Sequence, residues 1–175
     1  DAYRTVVIFG NGYNSSNGHA VLYILDASKG RLVRKIDTGA AQDNGLSEPA
    51  LIDVNLDRCV DYVYAGDLKG NLWKFDLTAQ DPAGWGVAYG EDRNGDGVID
   101  AAADDLPQPL FAAPNQPITG RPDVMAMSGA CGPELPGYMV IFGTGRYLGE
   151  ADRHDVSPQS IYGIWDFGDD SDDSE

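Results

Sequence analysis

VVIFGNGY (residues 6–13), DYVYAGD (61–67) and MVIFGTGRY (139–147) decide the fold. In each, an apolar run meets a glycine-bearing turn. An aromatic-rich run ending in aspartate then follows: AVLYILD (20–26), GNLWKFD (70–76) and SIYGIWD (160–166). Short runs of β-branched and aromatic residues bounded by Gly, Asn and Asp read as strands. The expected strands are Thr5–Phe9, Ala20–Leu25, Leu32–Ile36, Ala50–Val54, Asp61–Ala65, Leu72–Asp76, Tyr138–Phe142 and Ser160–Trp165. Consecutive hairpins built on one pattern are what propeller blades look like in sequence. The fold class expected is therefore all-β, a partial or modified β-propeller of about three blade-like repeats. Closing a propeller takes roughly four to eight blades. A two-sheet sandwich is the alternative this pattern leaves open.

Working outward, residues 78–120 interrupt the repeat and read as a long insertion carrying an acidic loop. Five of the ten prolines fall there, and AAADDL at 101–106 is its one helical hint. Residues 1–165 read as a fragment of one propeller domain and 166–175 as an acidic tail, with six acids in ten residues. The chain opens on Asp1, directly before an apolar strand, which suggests a mature or excised portion of a longer protein. Over the 175 residues, 28 acidic against 12 basic side chains give a net charge of −16. Such a surface repels phosphate backbones, which argues against nucleic acid and favours multivalent cations. No run approaches the roughly 20 apolar residues of a membrane-spanning helix. Cys59 and Cys131 are too far apart in sequence for a metal-ligand motif, and either a long-range disulfide or two buried thiols fits them.

Two nonapeptides carry the chemistry: Asp53-Val-Asn55-Leu-Asp57-Arg-Cys59-Val-Asp61 and Asp92-Arg-Asn94-Gly-Asp96-Gly-Val98-Ile-Asp100. Both place oxygen-bearing side chains at positions 1, 3, 5 and 9, the order used by EF-hand-like calcium loops. Position 7 adds a backbone carbonyl, from Cys59 or Val98. Calcium takes six to eight oxygens at about 2.3–2.6 Å, so these donors and water complete a shell. Neither loop has the bidentate Glu at position 12, which is Tyr64 in one and Ala103 in the other; Asp104 is a candidate substitute in the second. Weak binding is expected, on the order of 10⁻⁴–10⁻³ M, in the range of extracellular modules. The competing reading is a pair of Asx-rich turns that cap their own amides.

The strings at 7–39 and 53–77, with VIFGTGRYL at 140–148, resemble the C-terminal propeller domain of the type IV pilus tip-associated adhesin and assembly proteins (the PilC/PilY group). The resemblance implies an exported, non-catalytic module at the pilus tip, cell surface or outer membrane. It implies roles in pilus biogenesis, in extension against retraction and in adhesion. Implied partners are minor pilins, host-surface ligands and the remainder of the same polypeptide. It also implies that Asp53, Asn55, Asp57 and Asp61 are calcium ligands and that Cys59 offers its carbonyl. No Arg-Gly-Asp occurs, the nearest string being Gly120-Arg121-Pro122-Asp123, so an integrin-binding role is not implied.

The remaining conspicuous residues support no catalytic reading. Trp73, Phe75 and Trp165 are expected in the core, Trp85 exposed in the insertion, and His19 and His154 as ordinary surface or turn residues. GNGYNSSNG lacks the lysine of a phosphate loop. Two alternatives share the strand pattern: a quinone-cofactor dehydrogenase propeller and an integrin-type calcium-bearing module. The first is disfavoured by the absence of an adjacent cysteine pair and by too few blades to enclose a cofactor.

Overall fold

The computed structural model describes residues 5–127 and 137–168. Its strands are β1 (Val6–Gly10), β2 (Val21–Asp26), β3 (Leu32–Asp37), β4 (Ala50–Ile52), β5 (Tyr62–Gly66), β6 (Asn71–Asp76) and β7 (Gly86–Val87). They continue as β8 (Gly90–Glu91), β9 (Leu106–Pro107), β10 (Phe111–Ala112), β11 (Asp123–Ala126), β12 (Tyr138–Gly143) and β13 (Ile161–Asp166). The eight expected strands are all present. Helix among the described residues is limited to short 3-10 turns at Pro82–Gly84, Ala101–Ala103 and Glu150–His154.

Antiparallel pairing gathers the strands into sheets in the orders β1-β2-β3, β10-β6-β5-β4 with β7 also on β6, and β11-β12-β13, beside a small β8-β9 pair. The three hairpins share a register. Gly10, Gly66 and Gly143 close the leading strands and lie opposite Leu22, Leu72 and Ile161. The Asp ending each returning strand then turns back on the chain. Asp26, Asp76 and Asp166 accept bonds from the backbone N–H of Ser28, Thr78 and Gly168 at 2.8, 2.8 and 3.3 Å. Such Asx turns explain why a strand of this repeat ends in aspartate.

The middle sheet is covered on both faces. One apolar cluster joins Leu22, Ile24 and Ile36 to Val63, Ala65, Trp73 and Phe75. A second joins Tyr64, Leu72 and Ile118 to Val140 and Phe142. Alternation sends successive side chains of β5 and β6 to opposite neighbours, so a strand buried on both faces reads as a continuous apolar run. Among the described residues the two outer sheets each have one face uncovered, and Trp165 departs from its expected place in the core. It is 41% exposed because it lies on the face of β13 turned away from the middle sheet, whereas Trp73 is 2% exposed. Trp85 departs from expectation too. It packs against the first cluster, and its indole N–H donates to the Ala79 carbonyl at 2.8 Å.

Residues 78–120 contribute strands of their own: β7 and β10 both pair with β6. Asp166, at the head of the expected tail, is the last residue of β13 and is buried. Its carboxylate meets the Lys74 ammonium at 2.8 Å and accepts from the hydroxyls of Tyr64 at 2.5 Å and Tyr89 at 2.8 Å. Lys74 also lies 4.4 Å from the Tyr62 ring centroid. This cluster ties the third sheet to the second. A second buried carboxylate, Asp67, accepts from Asn44, Asn71 and the Trp73 indole at 2.8–3.0 Å and ties the β5–β6 turn to the loop before β4. Cys131, and with it the expected pairing to Cys59, lies outside the described residues, as does 169–175.

Candidate metal-binding loops

The first nonapeptide connects β4 to β5. The second connects β8 to the turn at Ala101–Ala103, which leads into β9. Their surroundings differ, yet both curl the same way. Positions 4 and 6 are left-handed in each, at Leu56 (φ 60°) and Arg58 (φ 75°) in one and Gly95 (φ 76°) and Gly97 (φ 83°) in the other. In the first loop two side-chained residues adopt a conformation that costs L-residues roughly 1–2 kcal/mol each.

The oxygens follow the curl. Asp53 accepts from the amides of Asp57 at 3.2 Å and Arg58 at 2.8 Å, Asn55 from Asp57 at 2.9 Å, and Asp57 from Cys59 at 2.8 Å. Asp61 folds back to accept from the Val54 amide at 2.7 Å. In the second loop Asp92 accepts from Gly95 at 2.7 Å and Gly97 at 2.8 Å, Asn94 from Asp96 at 2.8 Å, and Asp96 from Val98 at 2.9 Å. Positions 1, 3 and 5 thus turn inward in both loops. Position 9 divides them. Asp100 accepts from the Asp37 and Ala102 amides at 3.3 and 3.0 Å and faces the Arg34 guanidinium at 3.4 Å.

The side chains do not form a preassembled cage. Among the described residues no group of three or more His, Cys, Asp or Glu side chains lies in a metal-holding arrangement. The donors are nevertheless all oxygens, as a hard cation requires. Electrostatics favour the ionised form: the Cys59 amide holds the Asp57 carboxyl below its ordinary value, and Asp57 in turn pushes the Cys59 thiol up. Tyr64, at position 12 of the first loop, is fully buried and unavailable to it. In the second loop Asp104 takes a left-handed turn as the cap of the 3-10 helix. It is Asp105, passed over in the sequence, that braces the loop, accepting from the amides of Arg93 at 2.9 Å and Asp100 at 3.2 Å. Burial pushes its carboxyl up, but the amides of Asp100, Arg93 and Asn94 outweigh that and hold it below the usual range.

A family model described as the PilY1 beta-propeller domain matches residues 2–173. The chain belongs to the PilY1 β-propeller family. A type IV pilus biogenesis factor PilY1 homolog of Xylella fastidiosa is 43% identical over 177 residues, covering 92% of this chain and 11% of the relative. The Pseudomonas aeruginosa type IV pilus biogenesis factor PilY1 is 43% identical over 178 residues, covering 93% of this chain and 14% of the relative. The crystal structure of the Pseudomonas aeruginosa PilY1 C-terminal domain superposes with a TM-score of 0.75 at 37% identity. It covers 93% of this chain and 34% of that domain chain. The chain thus spans 11–14% of the length of these curated relatives. Among its described residues no helix is long and apolar enough to cross a membrane.

Proposed function

We propose that this chain is a calcium-binding, non-catalytic part of the propeller of a pilus-tip protein. It supports type IV pilus biogenesis, the balance of extension against retraction, and adhesion to surfaces, through contacts with minor pilins and host-surface ligands. One observation carries the calcium reading: two loops in unlike settings share left-handed positions 4 and 6 and inward oxygens at positions 1, 3 and 5. Asp53, Asn55, Asp57 and Asp61 with the Cys59 carbonyl would hold the ion in the first loop. Asp92, Asn94 and Asp96 with the Val98 carbonyl would hold it in the second, where the expected ninth-position donor Asp100 is engaged by Arg34 instead. Bound calcium supplies charge neutralisation for carboxylates that otherwise repel one another. The chain's own contribution is to aim those oxygens and to anchor the loop on β5, whose first residue follows Asp61 directly. Family membership supports the pilus role, since the relatives are named as type IV pilus biogenesis factors.

Titration calorimetry with calcium on wild type, Asp57→Ala and Asp96→Ala tests the ligand assignment. We expect each variant to lose one site of the wild-type stoichiometry while its circular dichroism spectrum is retained. Unchanged stoichiometry in both would refute the assignment.

A further inference from the structure

Position 6 sets the two loops apart. In the second loop it is Gly97 at φ 83°, and in the first Arg58 holds the same left-handed backbone at φ 75°. Glycine takes that conformation freely, whereas a side-chained residue is strained in it. Strain of this kind gathers where a site uses the side chain. The fold itself asks only for the amide: Arg58 donates to Asp53 at 2.8 Å, the bond that Gly97 makes to Asp92 at the same distance. Arg58 is exposed, and among the described residues its guanidinium joins no ion pair or hydrogen bond, although Asp57 and Asp61 are close to it in sequence.

That free cation lines a cleft of about 1150 Å³ between the first sheet and the first loop. The apolar part of the lining is Val6, Ile8, Val33, Leu77 and Trp85. Leu77 belongs to the first apolar cluster and the other four pack against it, so the core holds this wall in place. A cleft of this size exceeds the roughly 300–1,000 Å³ of small-molecule pockets and admits a short stretch of polypeptide.

We propose that this cleft docks an acidic peptide segment of a partner protein. Arg58 pairs with a carboxylate of the segment, and the wall of Val33 and Trp85 receives the apolar residue beside it. A guanidinium presents a planar fork that matches a carboxylate in two parallel bonds. Charge selects the carboxylate over a phosphate, since a chain of net charge −16 repels a doubly charged group more strongly than a singly charged one. The inference rests on the calcium reading of the first loop, because an ion there offsets Asp53, Asp57 and Asp61, which would otherwise turn an anion away.

Fluorescence anisotropy on the calcium-loaded full chain tests it. The probes are a dye-labelled, capped pentapeptide of alternating leucine and glutamate and the same peptide with glutamine for glutamate. We expect the glutamate peptide to bind at least about tenfold more tightly, and Arg58→Gly to erase that difference. Arg58→Lys should keep part of it, having the charge without the fork. Because glycine suits the turn, Arg58→Gly should also raise Tm and keep the calcium stoichiometry, so a lost preference is not lost folding. Equal binding of the two peptides to wild type, or an undiminished preference in Arg58→Gly, would overturn the proposal. Calcium calorimetry on the same samples separates the two readings: a loaded first loop with no peptide preference overturns the docking alone, and a first loop that takes up no calcium overturns the reading beneath it.

Discussion

Lys74 and Asp166 sit almost wholly out of water, 6% and 2% exposed, and pair with each other there at 2.8 Å. Removing one partner strands the other, which typically costs about 3–5 kcal/mol. We expect Lys74→Met to lose about 3 kcal/mol in urea unfolding, and the double variant with Asp166→Asn to recover part of that loss. The pH dependence follows from the same group. Burial pushes the Asp166 carboxyl up, but Lys74, Tyr64 and Tyr89 outweigh it and hold the carboxyl below its ordinary value. A depressed folded pKa stabilises fully above the ordinary carboxylate value of about 3.9 and loses that stabilisation as pH falls through the folded value. Calorimetric Tm should therefore drop below about pH 4, and Asp166→Asn should flatten that part of the profile. Little of this pair was legible in advance. A lysine between Trp73 and Phe75 reads as the polar face of a strand, and only a sheet covered on both sides turns it inward.

At the scale of elements, hairpins and loops were the readable part, because period-two alternation and turn residues are local signals. Strands of two residues such as β7 and β10 were not, since their pairing with β6 is fixed by contacts distant in sequence. In the first loop the spacing was visible, but the left-handed backbone at Leu56 was not. Leu56 is 84% exposed, so its side chain offsets little of the strain. Leu56→Gly should raise stability by about 0.5 kcal/mol, read from chemical denaturation, since glycine relieves the strain at some entropic cost. Gly66 is the opposite case. An added Cβ would lie 2.1 Å from Ile118 Cγ2, and Ile118 is fully buried between the second and third sheets. Gly66→Ala should cost about 2 kcal/mol by the same assay.

For the whole molecule, repetition made the class legible: three hairpins of one pattern stack so that, among the described residues, the middle sheet is covered on both faces and the outer two on one. Which aromatic residues are core was less legible, because Phe75 and Trp165 occupy the same position, each just before the closing aspartate of its strand, yet only Phe75 is buried. What separates them is that the first belongs to a sheet with neighbours on both sides. The candidate loops were readable down to positions 1, 3 and 5. At position 9 the sequence could not show that Asp100 turns to Arg34, a contact reached from another sheet. The most direct measurement is a crystal structure of the chain in millimolar calcium, with anomalous data to identify the ion. We expect a calcium peak in the first loop bound by Asp53, Asn55, Asp57, Asp61 and the Cys59 carbonyl, and a second peak at Asp92, Asn94 and Asp96. Two loops holding only water, with their carboxylates still turned onto backbone amides, would contradict the calcium role.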